Sequence, residues 1–256
     1  MSPTSSTGGI LPRALRYLFR TPLLLWHALV DLPMVLLLIA LGRGGKLSHG
    51  AIRWYAGSLL WIFGMRLHRE GQPLRGGTLF VANHVSWIDI MVLLSQHMMG
   101  FIAKSEIRGW PALGWAVAQA ETIFLERGNG DSLEKVMQEM AQRLREGRAV
   151  AAFPEGGTRN GIALGTFHAR IFTAAVEAQA PVQPVALCYG PRSSAQAIVA
   201  FAKRESFMAN LFRLLGEPAR PVRVCFLPPI LPQEFNGRRG IAQTAQEGVA
   251  QAMAAA

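Results

Sequence analysis

A chain of 256 residues is long enough for one sizeable core with an appendage, and at 50% hydrophobic and only 16% charged residues it is apolar for a soluble enzyme. Its formal charge of +10 draws it to anionic surfaces, but no basic run interleaved with aromatics and no zinc pattern points to nucleic acid, so a membrane is the expected partner. Cys188 and Cys225 lie far apart in separate apolar runs, which excludes a disulfide framework and fits a reducing cytosolic setting; the histidines at 27, 49, 68, 84, 97 and 168 lack ligand spacing, so no metal is expected.

Residues 1–9, rich in Ser, Thr and Gly, read as a disordered start. Arg13, Arg16 and Arg20 precede an apolar run from Pro22 to Gly42 that is just long enough to span a bilayer. His27, Asp31 and Pro33 interrupt it, and a charge near the centre of a spanning helix costs about 2.5 to 3.5 kcal/mol on insertion scales. Basic residues also follow it, at Arg43, Lys46 and Arg53. Positive charge on both sides favours a segment that enters and leaves the cytoplasmic leaflet. A second apolar stretch, Trp54 to Met65, is too short to span, so the two predict a membrane-dipping helical pair. A cleaved export signal is disfavoured, because Ala40-Leu41-Gly42 is a poor small-x-small site.

From about Arg66 onward strands are predicted over 78–82, 99–103, 121–125, 149–153, 183–189 and 222–227. Helices are predicted over 88–97, 110–119, 131–146 and 166–179. This alternation is that of an α/β layer, a mostly parallel sheet flanked by helices. The helix over 131–146 is the best marked, with Leu133, Val136, Met140 and Leu144 on one face and Gly147 as its stop.

Asn83-His84-Val85-Ser86-Trp87-Ile88-Asp89 follows the first of these strands and runs into the next helix. On one continuous helix a spacing of five turns two side chains about 140° apart, whereas a strand-to-helix turn can fold His84 back onto Asp89. Two readings follow. A neutral imidazole held by a carboxylate can take a proton from a substrate hydroxyl, and the same pair can be a core histidine beside a helix-start aspartate.

Three further stretches stand where strands of such a sheet end: Glu121-Thr122-Ile123-Phe124-Leu125-Glu126-Arg127, Phe153-Pro154-Glu155-Gly156-Gly157-Thr158-Arg159, and Ala180-Pro181-Val182-Gln183-Pro184-Val185. With Asn83-His84-x-Ser86-x-x-Asp89, their order and spacing resembles the 1-acyl-sn-glycerol-3-phosphate acyltransferases of the glycerolipid acyltransferase superfamily. The resemblance covers roughly residues 78–190. It implies acyl transfer from acyl-CoA or acyl carrier protein to the free hydroxyl of 1-acyl-sn-glycerol 3-phosphate, giving phosphatidic acid, with no cofactor besides that co-substrate. It further implies that His84 is the general base and Asp89 its partner, and that Phe124, Arg127, Glu155 and Gly156 help bind the acceptor. Lys104 matches a lysine of the family that follows a strand, and Arg159 stands one place beyond the family's usual arginine. The chain departs from the pattern at Glu121, where the family has glycine, and at Gly157, which is inserted before Thr158.

The expected organisation is a disordered start with membrane-associated helices over 1–65 and a glycerolipid acyltransferase domain over 66–256, on the cytoplasmic face of a membrane, the inner membrane in a bacterium. Another lysolipid acceptor, such as lyso-ornithine lipid, fits the same catalytic pair. A membrane-binding protein without turnover is the alternative from another class. A soluble hydrolase is disfavoured, since no G-x-S-x-G turn occurs.

Overall fold

The computed structural model describes residues 10–105, 109, 121–125, 130–235 and 237–255. The predicted disordered start over 1–9, the predicted helix over 110–119 and Arg127 lie outside these. The helices are α1 (Ile10–Trp26), α2 (Leu32–Gly42), α3 (Lys46–Ile62), α4 (Ile88–Gln96), α5 (Gly130–Arg145), α6 (Thr173–Ala178), α7 (Phe207–Leu215) and α8 (Arg238–Ala254). The strands are β1 (Met65–Glu70), β2 (Leu79–Ala82), β3 (Gly100–Lys104), β4 (Ile123–Leu125), β5 (Val150–Ala152), β6 (Val182–Tyr189) and β7 (Arg220–Phe226).

Among the described residues these seven strands form one mixed sheet in the order β1-β7-β6-β2-β5-β3-β4. The run from β6 to β4 is parallel throughout. β7 lies antiparallel to β6 and β1 parallel to β7. A sheet covered on both faces buries whole strands, so its strands read as unbroken apolar runs. Every residue of Leu79-Phe80-Val81-Ala82 and of Val182–Tyr189 is buried. Leu79 and Val81 face the layer holding α5, α6 and α8, whereas Phe80 and Ala82 face α2, α3, α4 and the buried side of α7. This alternation brings the ends of β2 and β5 together between two cores.

α5 matches its prediction closely, with Val136, Met140 and Leu144 buried along one face. The helix predicted over 166–179 begins later, as a 3-10 turn over Ala169–Phe172 that leads into α6. The amide of Phe167 donates to Gln246 Oε1 at 3.1 Å and that of His168 to the Pro154 carbonyl at 2.9 Å, so neither enters a helical ladder. β1, α7 and α8 are not predicted from the sequence. In β1 only Met65 is buried, because it is an edge strand whose charged residues face solvent.

At the N-terminal end the helix is continuous over Pro12–Gly42, 31 residues, long and apolar enough to cross a membrane, and only 17% of its apolar window is buried. The polar interruptions are absorbed by one π-helical turn, His27–Asp31. There the His27 Nδ1 atom lies 2.8 Å from the Asp31 carboxylate, and its ring stacks on Tyr55 of α3 with centroids 4.0 Å apart. The charge that argues against a simple crossing is thus paired and turned toward α3.

Candidate active site

β2 ends at Ala82, and the next side chain replaces strand pairing with a clamp. Asn83 donates to the Leu187 carbonyl at 2.9 Å and accepts from the Leu187 amide at 2.8 Å. This fixes the exit of β2 against β6 and starts the turn that leads into α4. Within that turn His84 Nδ1 lies 2.8 Å from Asp89 Oδ2.

Asp89 is wholly buried. Its Oδ2 also accepts the amides of Val85 and Ser86, at 2.7 and 2.9 Å, and its Oδ1 accepts the Tyr189 hydroxyl at 2.5 Å. A buried carboxylate is stable only when paired and hydrogen-bonded, and here four donors surround it. Since Oδ2 already accepts two amides, Nδ1 of His84 is the donor and the ring lone pair is left on Nε2. Burial, with Asp89 beside it, pushes the Tyr189 phenol well above its ordinary value, so it remains a donor.

The Phe153–Arg159 stretch closes the turn from the other side. The Phe153 ring lies flat against the His84 imidazole, centroids 3.8 Å apart and planes 11° apart. Glu155 accepts the His84 amide on Oε1 at 2.8 Å and the Gly165 amide on Oε2 at 2.7 Å. Arg159 donates to the Glu155 carbonyl at 2.7 Å, approaches its carboxylate at 3.4 Å, and sends its amide to the His84 carbonyl at 2.8 Å. Burial pushes the Glu155 carboxyl up, against the pull of the two amides and of Arg159. Both oxygens of Glu155 are therefore engaged in holding the His84 turn, and Arg159 is engaged in holding Glu155.

His84 also lines a cavity of about 510 Å³. Its described walls are largely apolar, with Ile102, Leu125, Leu133, Val136, Met137 and Ile171 among them. Its polar lining includes Gly156, Gly157, His168 and Arg170 besides His84. Gly156 has φ +75, a backbone conformation that glycine adopts without strain, and it lies against the His168 ring. Arg170 is exposed, and its guanidinium makes no hydrogen bond or ion pair with the described residues.

The remaining candidates fall as follows. Lys104 ends β3 opposite Leu125, with its side chain outside the described residues, as is Arg127. Phe124 lies half-buried in β4, where Leu125 rather than Phe124 is among the residues lining the cavity. Glu121 has φ +57, in the left-handed region that glycine adopts without strain. Its carboxylate lies 3.5 Å from His49 Nε2 of α3, and its carbonyl accepts from Arg143. Among the described residues no three His, Cys, Asp or Glu converge as metal ligands.

With this geometry in place, comparison with known proteins is informative. The family model described as Acyltransferase matches residues 65–188. The lyso-ornithine lipid O-acyltransferase of Pseudomonas aeruginosa is 38% identical over 197 residues, 77% of this chain and 76% of that protein. The chain belongs to the acyltransferase family. The 1-acyl-sn-glycerol-3-phosphate acyltransferase of Neisseria gonorrhoeae is 37% identical over 126 residues, 49% of each chain. Among solved structures, the 1-acyl-sn-glycerophosphate acyltransferase of Thermotoga maritima superposes with a TM-score of 0.74 at 22% identity, covering 94% of this chain and 96% of that one. That likeness shows the fold.

Among the residues of this site that the sequence does not single out are Phe153, Arg170 and Tyr189. Phe153 heads the stretch that carries Glu155 but stands far from His84 in the chain, and nothing in the sequence signals that its ring lies against that imidazole. Tyr189 sits 100 residues from Asp89, at the end of an all-buried strand, where a hydroxyl must find a partner.

Proposed function

We propose that this acyltransferase transfers an acyl group from a thioester donor, acyl-CoA or acyl carrier protein, to the free hydroxyl of a lysolipid whose head group carries a phosphate or a carboxylate. The observation that carries the reading is the His84–Asp89 pair at the wall of a largely apolar cavity. Nε2 of His84 takes the hydroxyl proton as the oxygen attacks the thioester carbonyl. Asp89 stabilises the imidazolium that forms, and the imidazolium returns the proton to the departing thiolate. The ester C–O bond forms, the C–S bond breaks, and the products are a diacyl lipid and a free thiol. The apolar walls fit an acyl chain.

Two acceptors suit this chemistry. The four motif stretches favour 1-acyl-sn-glycerol 3-phosphate, with phosphatidic acid as product. The match across 76% of the Pseudomonas lyso-ornithine lipid enzyme favours lyso-ornithine lipid, whose head group carries a carboxylate. Either anion can pair with a guanidinium, and Arg170 is the described arginine that lines the cavity. Glu121 is no obstacle to either, since its charge is directed to His49. Assaying the purified full chain against a panel of lysolipids decides between them: diacyl product from only one of the two acceptors assigns the head group, and none from either rejects the reading.

Arg170→Ala is expected to raise the acceptor KM by roughly tenfold or more, the weight of a charge-assisted hydrogen bond, while the acyl-donor KM changes little. Equal damage to both KM values would remove Arg170 from head-group recognition.

We place the protein on the cytoplasmic face of the membrane, held by the helix over Pro12–Gly42 and by α3. The support is the helix's length, apolarity and low burial, with Arg13, Arg16 and Arg20 in its first turns and Arg43 and Lys46 beyond its end. The chain is expected to sediment with membranes and to stay there in high salt, because apolar burial outlasts screening. Full release by salt would mean a charge-held peripheral protein.

A further inference from the structure

We propose that α7 is a second membrane-contact element, lying in the interface of an anionic bilayer beside α1 and coupling that surface to the His84–Asp89 turn. The proposal rests on the membrane reading of α1 given above and adds a region of the chain that is remote in sequence.

The helix is amphipathic in an unusual way. Asn210, Leu214 and Leu215 are buried in the protein, yet Phe207, Met208 and Phe212 are 46%, 53% and 52% exposed. Three large apolar side chains half in water on a nine-residue helix form a patch that a bilayer would cover. Lys203 and Arg204, in the turn ahead of it, are exposed and without an ion pair among the described residues. Glu205, the acid beside them, is already taken by Arg213 at 2.7 Å. The outward charge at the start of the helix is thus positive. Apolar side chains next to unpaired basic ones are the composition of a helix that lies in an anionic interface.

Position supports the same occupant. Arg16 donates to the Gly216 carbonyl at 2.8 Å, and Arg20 to those of Leu215 and Glu217 at 2.9 and 2.7 Å. The Tyr17 hydroxyl donates to the Phe212 carbonyl at 2.9 Å. Cations at the carbonyl end of a helix satisfy its orphan acceptors and its dipole together. These bonds dock the C-terminal end of α7 on α1, whose Leu15, Leu18 and Phe19 are themselves exposed. The apolar side chains of α7 therefore continue the surface of the helix read as entering the bilayer.

The inner side of α7 reaches the catalytic turn. Asn210 Oδ1 accepts the Trp87 indole at 3.0 Å, and Phe207 meets the Trp87 ring edge-on, centroids 5.5 Å apart. Trp87 belongs to the turn between His84 and Asp89, and the Val85 carbonyl accepts the Phe201 amide at 3.4 Å. A helix resting on the bilayer thereby sets the height of the turn above it. This is what an enzyme drawing its acceptor from the membrane requires.

The test uses the single variants Met208→Cys, Phe212→Cys, Leu18→Cys and Gln243→Cys of the full chain; the native Cys188 and Cys225 are buried. Each variant is labelled with an environment-sensitive fluorophore and reconstituted into phosphatidylethanolamine–phosphatidylglycerol vesicles carrying nitroxide-labelled lipid. Probes at 208 and 212 are expected to shift to the blue and lose emission to the nitroxide as the probe at 18 does, while the probe at 243 on α8 stays aqueous. Aqueous probes at 208 and 212 with a quenched probe at 18 overturn the proposal and leave the membrane reading of α1 intact. An aqueous probe at 18 as well rejects both. Probes at 208 and 212 that stay aqueous on vesicles but shift on addition of acyl carrier protein assign the face to the donor and overturn the proposal too.

Discussion

Replacing His84 by alanine is expected to lower acyl transfer by about 10² to 10⁴, the usual contribution of a positioned general base, with little change in melting temperature. The separation is physical. Asp89 keeps the amides of Val85 and Ser86 and the Tyr189 hydroxyl when the imidazole is gone. The backbone of residue 84 keeps its own bonds to Glu155 and Arg159. The turn therefore persists without the ring, and lysolipid binding should be largely retained. Turnover within a few-fold of wild type would remove His84 from the mechanism.

Asp89→Asn is expected to be impaired on a similar scale, by up to about 10⁴, for a different reason. The amide oxygen can occupy the place of Oδ2 and accept from Val85, Ser86 and His84. The amide nitrogen then faces Tyr189, whose hydroxyl can accept instead of donate. Hydrogen bonding is conserved and the fold should survive, but no negative charge remains to stabilise the imidazolium. Circular dichroism and thermal melting alongside kcat separate the two roles: a fall in kcat that tracked a fall in Tm would make Asp89 a structural residue.

The His84–Asp89 turn was legible in the sequence because its information is local. A strand-forming run, a His and an Asp five apart and a helix-compatible run left one way for the two side chains to meet, and they meet at 2.8 Å. β2, β5 and β6 were legible for a related reason, since strands buried on both faces are unbroken apolar runs. What was not legible depends on contacts between distant residues. Tyr189 meets Asp89 across 100 residues, and the ring of Phe153 reaches His84 from another strand end. Nothing near Glu155 in sequence signals that both its oxygens are taken by the amides of His84 and Gly165. β1 was missed because an edge strand with one buried residue carries no alternating pattern. Glu121 stands out in the sequence only as a departure from the glycine of the family pattern. Its backbone is left-handed, a conformation glycine adopts without strain, and its carboxylate lies 3.5 Å from His49 Nε2.

The most direct measurement is free-thiol release from acyl-CoA by the purified full chain in lipid vesicles, followed with and without a lysolipid. Transfer through the His84–Asp89 pair predicts release that depends on the lysolipid, matches diacyl product one for one, and disappears in His84→Ala. Release of equal rate without any lysolipid, or no release with any lysolipid offered, would contradict it.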